Sequence, residues 1–257
     1  MSMDYKEVGV AILDIYDNTS LMGCVEELAI NQEVSAYVIN NRKIPLKDFQ
    51  YDKVISHSVS MATLRNHALA HFRCIGSKYI FLLTSNVIIK DPNFIEKTIK
   101  TAEAFGTWLL TGNVKGSTIL DDDSGQSLHI NTKVEPNFVF LRSGVVGNLG
   151  FFDERYFNTS YLDVLDYVER ARKIGIYPPT NFFATVGDFY DITDSKIEKI
   201  DHSDILDKNN RSVGLSFGYF KHIHGYVPTI DDIKSVSRDD LMSFMQELQT
   251  LYNVKDK

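Results

Sequence analysis

The 257 residues contain only two cysteines, Cys24 and Cys74, far apart and without metal-ligand spacing, so both are expected to be free core thiols. No apolar run reaches the roughly 18 residues that a membrane span needs. The acidic start M-S-M-D-Y-K-E is unlike a secretory signal, so the expectation is a protein without membrane insertion, placed in the cytoplasm. Three sequence signatures are also missing. No G-x-G-x-x-G follows the first apolar run and no G-x-x-x-x-G-K-[ST] occurs, which removes support for the common dinucleotide and P-loop readings. The absence of G-x-S-x-G weakens an α/β-hydrolase reading in the same way. Positive charge is in short supply overall: a net charge of −7 argues against broad, non-specific nucleic-acid binding.

What is present describes an ordinary globular core with an uneven surface. Hydrophobic residues make up 44% of the chain and charged residues 24%, so one large α/β domain, or one domain plus an appendage, can bury itself. Between Met61 and Lys115 the balance reverses locally. Seven basic residues (Arg65, Arg73, Lys78, Lys90, Lys97, Lys100, Lys115) face three acids (Asp91, Glu96, Glu103), a local charge of +4. Such a window suits a phosphate-bearing ligand, although Lys97 and Lys100 read better as a solvated helix face.

The stretch Ser60 to Asp91 organises the rest. Leu64, Ala68 and Phe72 recur at helical spacing, so Met61 to Cys74 is expected to be an amphipathic helix, ended by Gly76-Ser77. Tyr79 to Leu83 is an apolar run of strand length that stops on Thr84-Ser85-Asn86 before Val87-Ile88-Ile89 resumes. In open α/β sheets the carboxyl ends of strands are where ligands bind, and a plain strand-end turn is the competing reading.

The same alternation runs along the chain. Val8–Ile15 reads as a strand ending in D-I-Y-D-N-T-S, Leu21–Ile30 as a helix, Val34–Ile39 as a second strand capped by N-N-R-K, Val54–Ser56 as a short strand, and Asn93–Phe105 as a helix after Asp91-Pro92. Strands alternating with helices predict parallel pairing in a doubly wound, Rossmann-like sheet with helices on both faces.

After Leu110 the pattern loosens. Ser117–Gln126, with three adjacent aspartates, is expected to be a solvated turn rather than a cation site. Phe138–Leu141 is another strand, and Leu162 and Leu165 open a helix that Gly175 ends. Asp163 and Asp166, three apart, share a face near that helix start. They either complement the helix dipole or act as a general base at a site mouth. His222 and His224 alternate in K-H-I-H-G-Y, so in an extended segment both rings would face the same way and could meet a metal or a phosphate. Ser237–Tyr252 predicts a C-terminal amphipathic helix for packing against the domain or a second subunit, which leaves a dimer through it open.

Taken in order, V-A-I-L-D-I-Y-D-N, Y-V-I-N-N-R, L-R-N-H-A-L-A, Y-I-F-L-L-T-S-N-V-I-I-K-D-P, F-F-D-E-R-Y-F-N-T-S-Y-L-D-V-L-D-Y-V-E-R-A-R-K-I-G and G-Y-F-K-H-I-H-G-Y-V-P resemble the successive motifs of inverting family 2 glycosyltransferases with a GT-A fold. The acceptor run resembles the rhamnosyltransferase-like D-x-x-D form. The resemblance spans most of Val8 to Gly225. It implies a GT-A domain over 1–230, with a nucleotide-sugar half (1–115), an acceptor half (116–230) and a terminal helix (231–257).

It further implies a nucleotide-diphosphate sugar donor, UDP-sugar among the candidates. Asp14, Tyr16 and Asn40 would contact the nucleoside. Arg65, Asn66, Ser85 and Asn86 would lie on the diphosphate or sugar side. Asp163 or Asp166 would take the acceptor proton, with Asp163 slightly ahead because Val164 stands where the commoner motif has its acid. The family holds Mg²⁺ or Mn²⁺ through D-x-D, and here that position is Thr84-Ser85-Asn86, which lacks the charge a hard dication wants. Three outcomes stay open: a divalent cation held by the diphosphate, Asn86 and a histidine such as His224; metal-independent transfer with basic residues taking the charge; or a non-catalytic nucleotide-sugar or glycan-binding module. A nucleotidyltransferase would want a Gly-rich basic loop where D-I-Y-D-N-T-S stands. The acceptor is a glycan or, if the source is viral and the setting a host cytoplasm, a hydroxymethylated DNA base.

Overall fold

The structure is a computed structural model that describes residues 7–14, 35–40, 60–113, 116–156, 161–178, 182–192, 216 and 218–226. Three parallel strands begin the fold: β1 (Val8–Asp14), β2 (Ser35–Asn40) and β3 (Tyr79–Thr84). Every residue of β3 is buried, as its unbroken apolar sequence requires of a strand covered on both faces. Helix α1 (Met61–Cys74) precedes β3 and starts where the Ser60 hydroxyl accepts from the Thr63 N–H at 3.2 Å. It ends at Gly76, whose φ of 80° lets the Ser77 N–H turn back to the Phe72 carbonyl. α1 lies close on the sheet because Gly9 has no side chain: a Cβ there would sit 2.4 Å from the Phe72 ring.

After β4 (Val87–Ile89), α2 (Phe94–Ala104) and β5 (Leu109–Gly112), the chain makes a hairpin of β6 (Thr118–Asp121) and β7 (Ser127–Asn131). β8 (Glu135–Arg142), α3 (Ser143–Leu149), α4 (Leu162–Lys173), β9 (Phe183–Thr185) and β10 (Tyr190–Ile192) follow. The central sheet has eight strands in the order β2-β1-β3-β8-β5-β9-β7-β6, and β10 pairs with β4 in a separate two-stranded ladder. Phe81 packs edge-on against Phe94, Phe138 and Phe140 where β3, α2 and β8 meet.

Two expectations change, on strand direction and on the burial of Cys74, and a third is refined. The sheet is mixed: β8 and β7 run against the other strands, because β8 enters between β3 and β5 in the opposite direction. Antiparallel entry places the start of β8, at Glu135, beside the carboxyl end of β3. The acidic segment after Ser117 is a hairpin, with Asp122 accepting from the Ser124 and Gln126 N–H groups in its turn, so the turn reading holds and only its flanks become strand. Cys74 is free and exposed at the end of α1. Leu21–Ile30, Val54–Ser56 and Ser237–Tyr252, with Tyr16 and Cys24, lie outside the described residues.

Candidate functional site

Parallel pairing brings the ends of the first three strands to one edge. Asp14 and Asn40 are register partners, and Leu13 pairs with Thr84. The Ser85 N–H then bonds the Leu13 carbonyl at 3.0 Å, so the T-S-N segment is tied to β1 at that edge. Thr84, Ser85 and Asn86 are all buried. The Thr84 hydroxyl faces the side-chain oxygens of Asn86 and, at 2.9 Å, Asn137. Asn137 in turn donates from both its backbone N–H (3.0 Å) and its side-chain amide to one oxygen of Glu135. A polar chain thus runs from Asn86 through Thr84 and Asn137 to the first residue of β8.

Arg65 and Asn66 reach across to the second half of the chain. Arg65 pairs through Nη1 with the Asp163 carboxylate and donates from Nη2 to the Pro136 carbonyl at 2.9 Å. Neither Arg65 nor Asp163 has any solvent-exposed side chain. Burial pushes the Asp163 carboxyl up from its ordinary value, and the Arg65 charge pulls it back. The Asn66 amide clamps the backbone of Phe152, donating to its carbonyl (2.9 Å) and accepting from its N–H (2.8 Å), and donates to Glu154 as well. Both residues therefore join α1 to the segments around α4 and the start of β8.

Asp166 is 1% exposed and also fully engaged. Its Oδ2 accepts from Arg170 Nε at 2.8 Å, while Oδ1 meets His224 Nε2 at 2.9 Å and the Tyr156 hydroxyl at 3.3 Å. His224 and His222 lie in a helical stretch, residues 218–224, rather than an extended one. Two positions on a helix differ by about 200°, so the rings leave opposite sides: His224 is buried against Phe220, and His222 is exposed. The expectation that both face one way is corrected. Lys97 and Lys100 pair with Asp91 and Glu96 on exposed surface, as expected of a solvated helix face.

The D-x-D position holds a poor donor set for a hard dication. It offers a hydroxyl, a serine and an amide already bonded to one another or to neighbours, and no carboxylate. His224 is spent on Asp166, and among the described residues no group of three or more His, Cys, Asp and Glu side chains is placed to hold a metal. The described residues do not fit that ion.

Glu135 and Asn137 beside Thr84, Tyr190 against Phe138, and Tyr156 and Arg170 at Asp166 are absent from the sequence-based set. One signal was legible for the first two: E-P-N stands directly before the apolar strand F-V-F-L. Its meaning depends on β8 running antiparallel to β3, which no local pattern states.

This arrangement, a mixed sheet with polar strand ends on one edge and helices around it, is the GT-A nucleotide-diphospho-sugar transferase fold. A mannosyltransferase from Pyrobaculum calidifontis, solved with GDP-mannose and Mn²⁺, matches 95% of this chain and 69% of its own at a TM-score of 0.53 and 8% identity. Glucosyl-3-phosphoglycerate synthase from Mycobacterium tuberculosis, solved with Mn²⁺ and UDP-glucose, matches 81% of this chain and 78% of its own at a TM-score of 0.51 and 10% identity. No protein-family model and no curated protein sequence matches the chain. At these identities the likeness is one of fold. Among the described residues no helix is long and apolar enough to cross a membrane.

Proposed function

We propose that this chain is a glycosyltransferase that moves a sugar from a nucleotide-diphosphate donor to an acceptor hydroxyl with inversion. The observation that carries the reading is the GT-A fold with Asp14, Asn40 and Thr84-Ser85-Asn86 on one edge, in a fold that two neighbours present with nucleotide sugars bound. Asp14, Tyr16 and Asn40 take the nucleoside, and Ser85 and Asn86 the sugar or diphosphate side. The first half of the domain is then the donor half, and the segment from 116 to 230 the acceptor half.

The sequence gives the proton-accepting role to Asp163 or Asp166. As base, either would first have to leave a buried ion pair. In this reading Asp163 with Arg65 and Asp166 with Arg170 and His224 fix α4 against its neighbours. Arg65, committed to Asp163 and Pro136, supports the site from behind rather than neutralising the diphosphate. A divalent cation held by Asn86 and His224 would require His224 to release Asp166, so the transfer is read without that ion.

A donor screen by nucleotide release, run with and without EDTA, tests the reading. Release from one nucleotide sugar in the presence of an acceptor is expected, and silence across UDP-, GDP- and dTDP-sugars sinks it. The neutral T-S-N segment favours a second reading, a nucleotide-sugar-binding module; tight calorimetric binding without released nucleotide would establish that one. The acceptor is a glycan or a hydroxymethylated DNA base. DNA predicts a steep loss of rate with salt as counterions are released, and a glycan predicts a flat response.

A further inference from the structure

Three carboxylates invite comparison, two on α4 and one at the start of β8. Two are neutralised: Asp163 by Arg65, and Asp166 by Arg170 with His224 beside it. The third is Glu135. It is half-buried, and among the described residues no cation partners it. Its chain neighbour Pro136 accepts from Arg65 Nη2 through its backbone carbonyl. Through Asn137 and Thr84 it is also joined to Asn86 at the end of β3.

Its surroundings orient it without consuming it. One oxygen, Oε1, accepts both Asn137 donors, which fixes the plane of the carboxylate and leaves Oε2 to another partner. Space is made from β5: Gly112 is the register partner of Glu135, and a Cβ there would lie 2.6 Å from Glu135 Cγ and 2.4 Å from the Tyr190 hydroxyl. Tyr190, on β10, is the titratable group whose field reaches Glu135. Burial and the Glu135 charge both push that phenol up, so it stays neutral at ordinary pH.

We propose that Glu135 is the general base of the transfer, an inference that rests on the glycosyltransferase reading. In the step, a Glu135 carboxylate oxygen takes the proton of the acceptor hydroxyl as that oxygen bonds to the anomeric carbon. The bond from that carbon to the phosphate oxygen breaks, and the nucleoside diphosphate leaves with the electron pair. The protonated Glu135, half open to solvent, then returns its proton to water. Burial raises the Glu135 carboxyl above its ordinary value, toward the range where a carboxylate works well as a base near neutrality.

The test uses the full chain and the donor found by nucleotide release, comparing wild type with Glu135→Gln and Glu135→Asp. Glu135→Gln is expected to lower kcat by about 10²–10⁴-fold. Its calorimetric affinity for the nucleoside diphosphate should stay within about threefold of wild type, and the acidic limb of kcat/KM should vanish. Glu135→Asp keeps the carboxylate and should keep the acidic limb, with a smaller loss of rate. A Glu135→Gln variant whose kcat stays within about tenfold of wild type, or whose loss lies wholly in KM with the pH profile intact, overturns the assignment while leaving the transferase reading standing. Failure of the wild-type chain both to bind nucleoside diphosphates and to release nucleotide overturns the two together.

Discussion

The Arg65 guanidinium of α1 and the Asp163 carboxylate of α4 meet in an ion pair that water does not reach. The two residues are separated by nearly a hundred positions, so this contact holds α1 and α4 in one arrangement. A buried pair of this kind is weak evidence of net stability, because the desolvation of two ions offsets their attraction. Breaking it is another matter, since one charge is then left buried alone.

Arg65→Ala or Asp163→Ala is therefore expected to lower folding stability by about 3–5 kcal/mol, read from urea midpoints. The double variant Arg65→Met/Asp163→Leu should recover most of that loss, because no isolated ion remains. Single variants that cost under about 1 kcal/mol, the range of an exposed pair, would show that α1 and α4 are held by something else.

His224 is the link between Asp166 and the helical stretch 218–224. Its removal leaves Asp166 bonded to Arg170, so α4 should persist while the later segment loosens. His224→Ala is expected to raise amide exchange across 218–224, with a local loss of about 1.5–3 kcal/mol, the range for a hydrogen bond to a charged group. Unchanged exchange there would mean that the packing of Phe220 on Tyr156 and the Lys173–Ile223 contact suffice.

The strand ends and helix termini were legible because each rests on local chemistry. Ser60 caps α1, Gly76 ends it, and the apolar run of β3 stops at Thr84, all as side-chain types dictate. The position of Glu135 beside the carboxyl end of β3 was not legible. It depends on one strand entering the sheet antiparallel, a choice made by tertiary pairing rather than by the E-P-N-F-V-F-L sequence itself. Asp163 and Asp166 were found by spacing, but their environment was hidden. The same two acids three apart would read alike on a solvated helix face, and burial beside Arg65, Arg170 and His224 is what alters their chemistry. The histidine pair failed for a plain reason of period: helix replaced strand, and one ring turned inward.

Gly112 gives a steric probe of the site. Alanine there would place its Cβ against the Tyr190 hydroxyl and the Glu135 side chain, so one of them must move. The expected cost is about 1–3 kcal/mol, as for other overpacked positions. Gly9→Ala, which crowds Phe72 between α1 and β1, should cost a similar amount. The two separate in turnover. Gly112→Ala should lose more kcat than Gly9→Ala at matched stability, and equal losses would detach Glu135 and Tyr190 from the chemistry.

Burial of Glu135 also has a thermodynamic consequence with a definite sign. Its folded carboxyl is raised above the ordinary value of 4.5, so between that value and the folded one the native chain holds a proton that the unfolded chain has released. Stability must then fall as pH rises through that window and stay lower above it, because the unfolded state binds fewer protons there. Glutamine carries no such proton and can still accept from Asn137, so Glu135→Gln should be more stable than wild type at pH 7. The advantage should shrink on acidification toward pH 4. Paired thermal melts across pH 4–8 measure it, each kcal/mol shifting the midpoint by roughly 2–4 °C in a chain of this size. A variant that gains stability at pH 7 while losing kcat would mark Glu135 as a carboxylate held ionised against a folding cost, the trade expected of a group kept for chemistry. A stability difference that is negative, or flat with pH, would instead place Glu135 in a solvated position and remove the physical reason for its raised carboxyl.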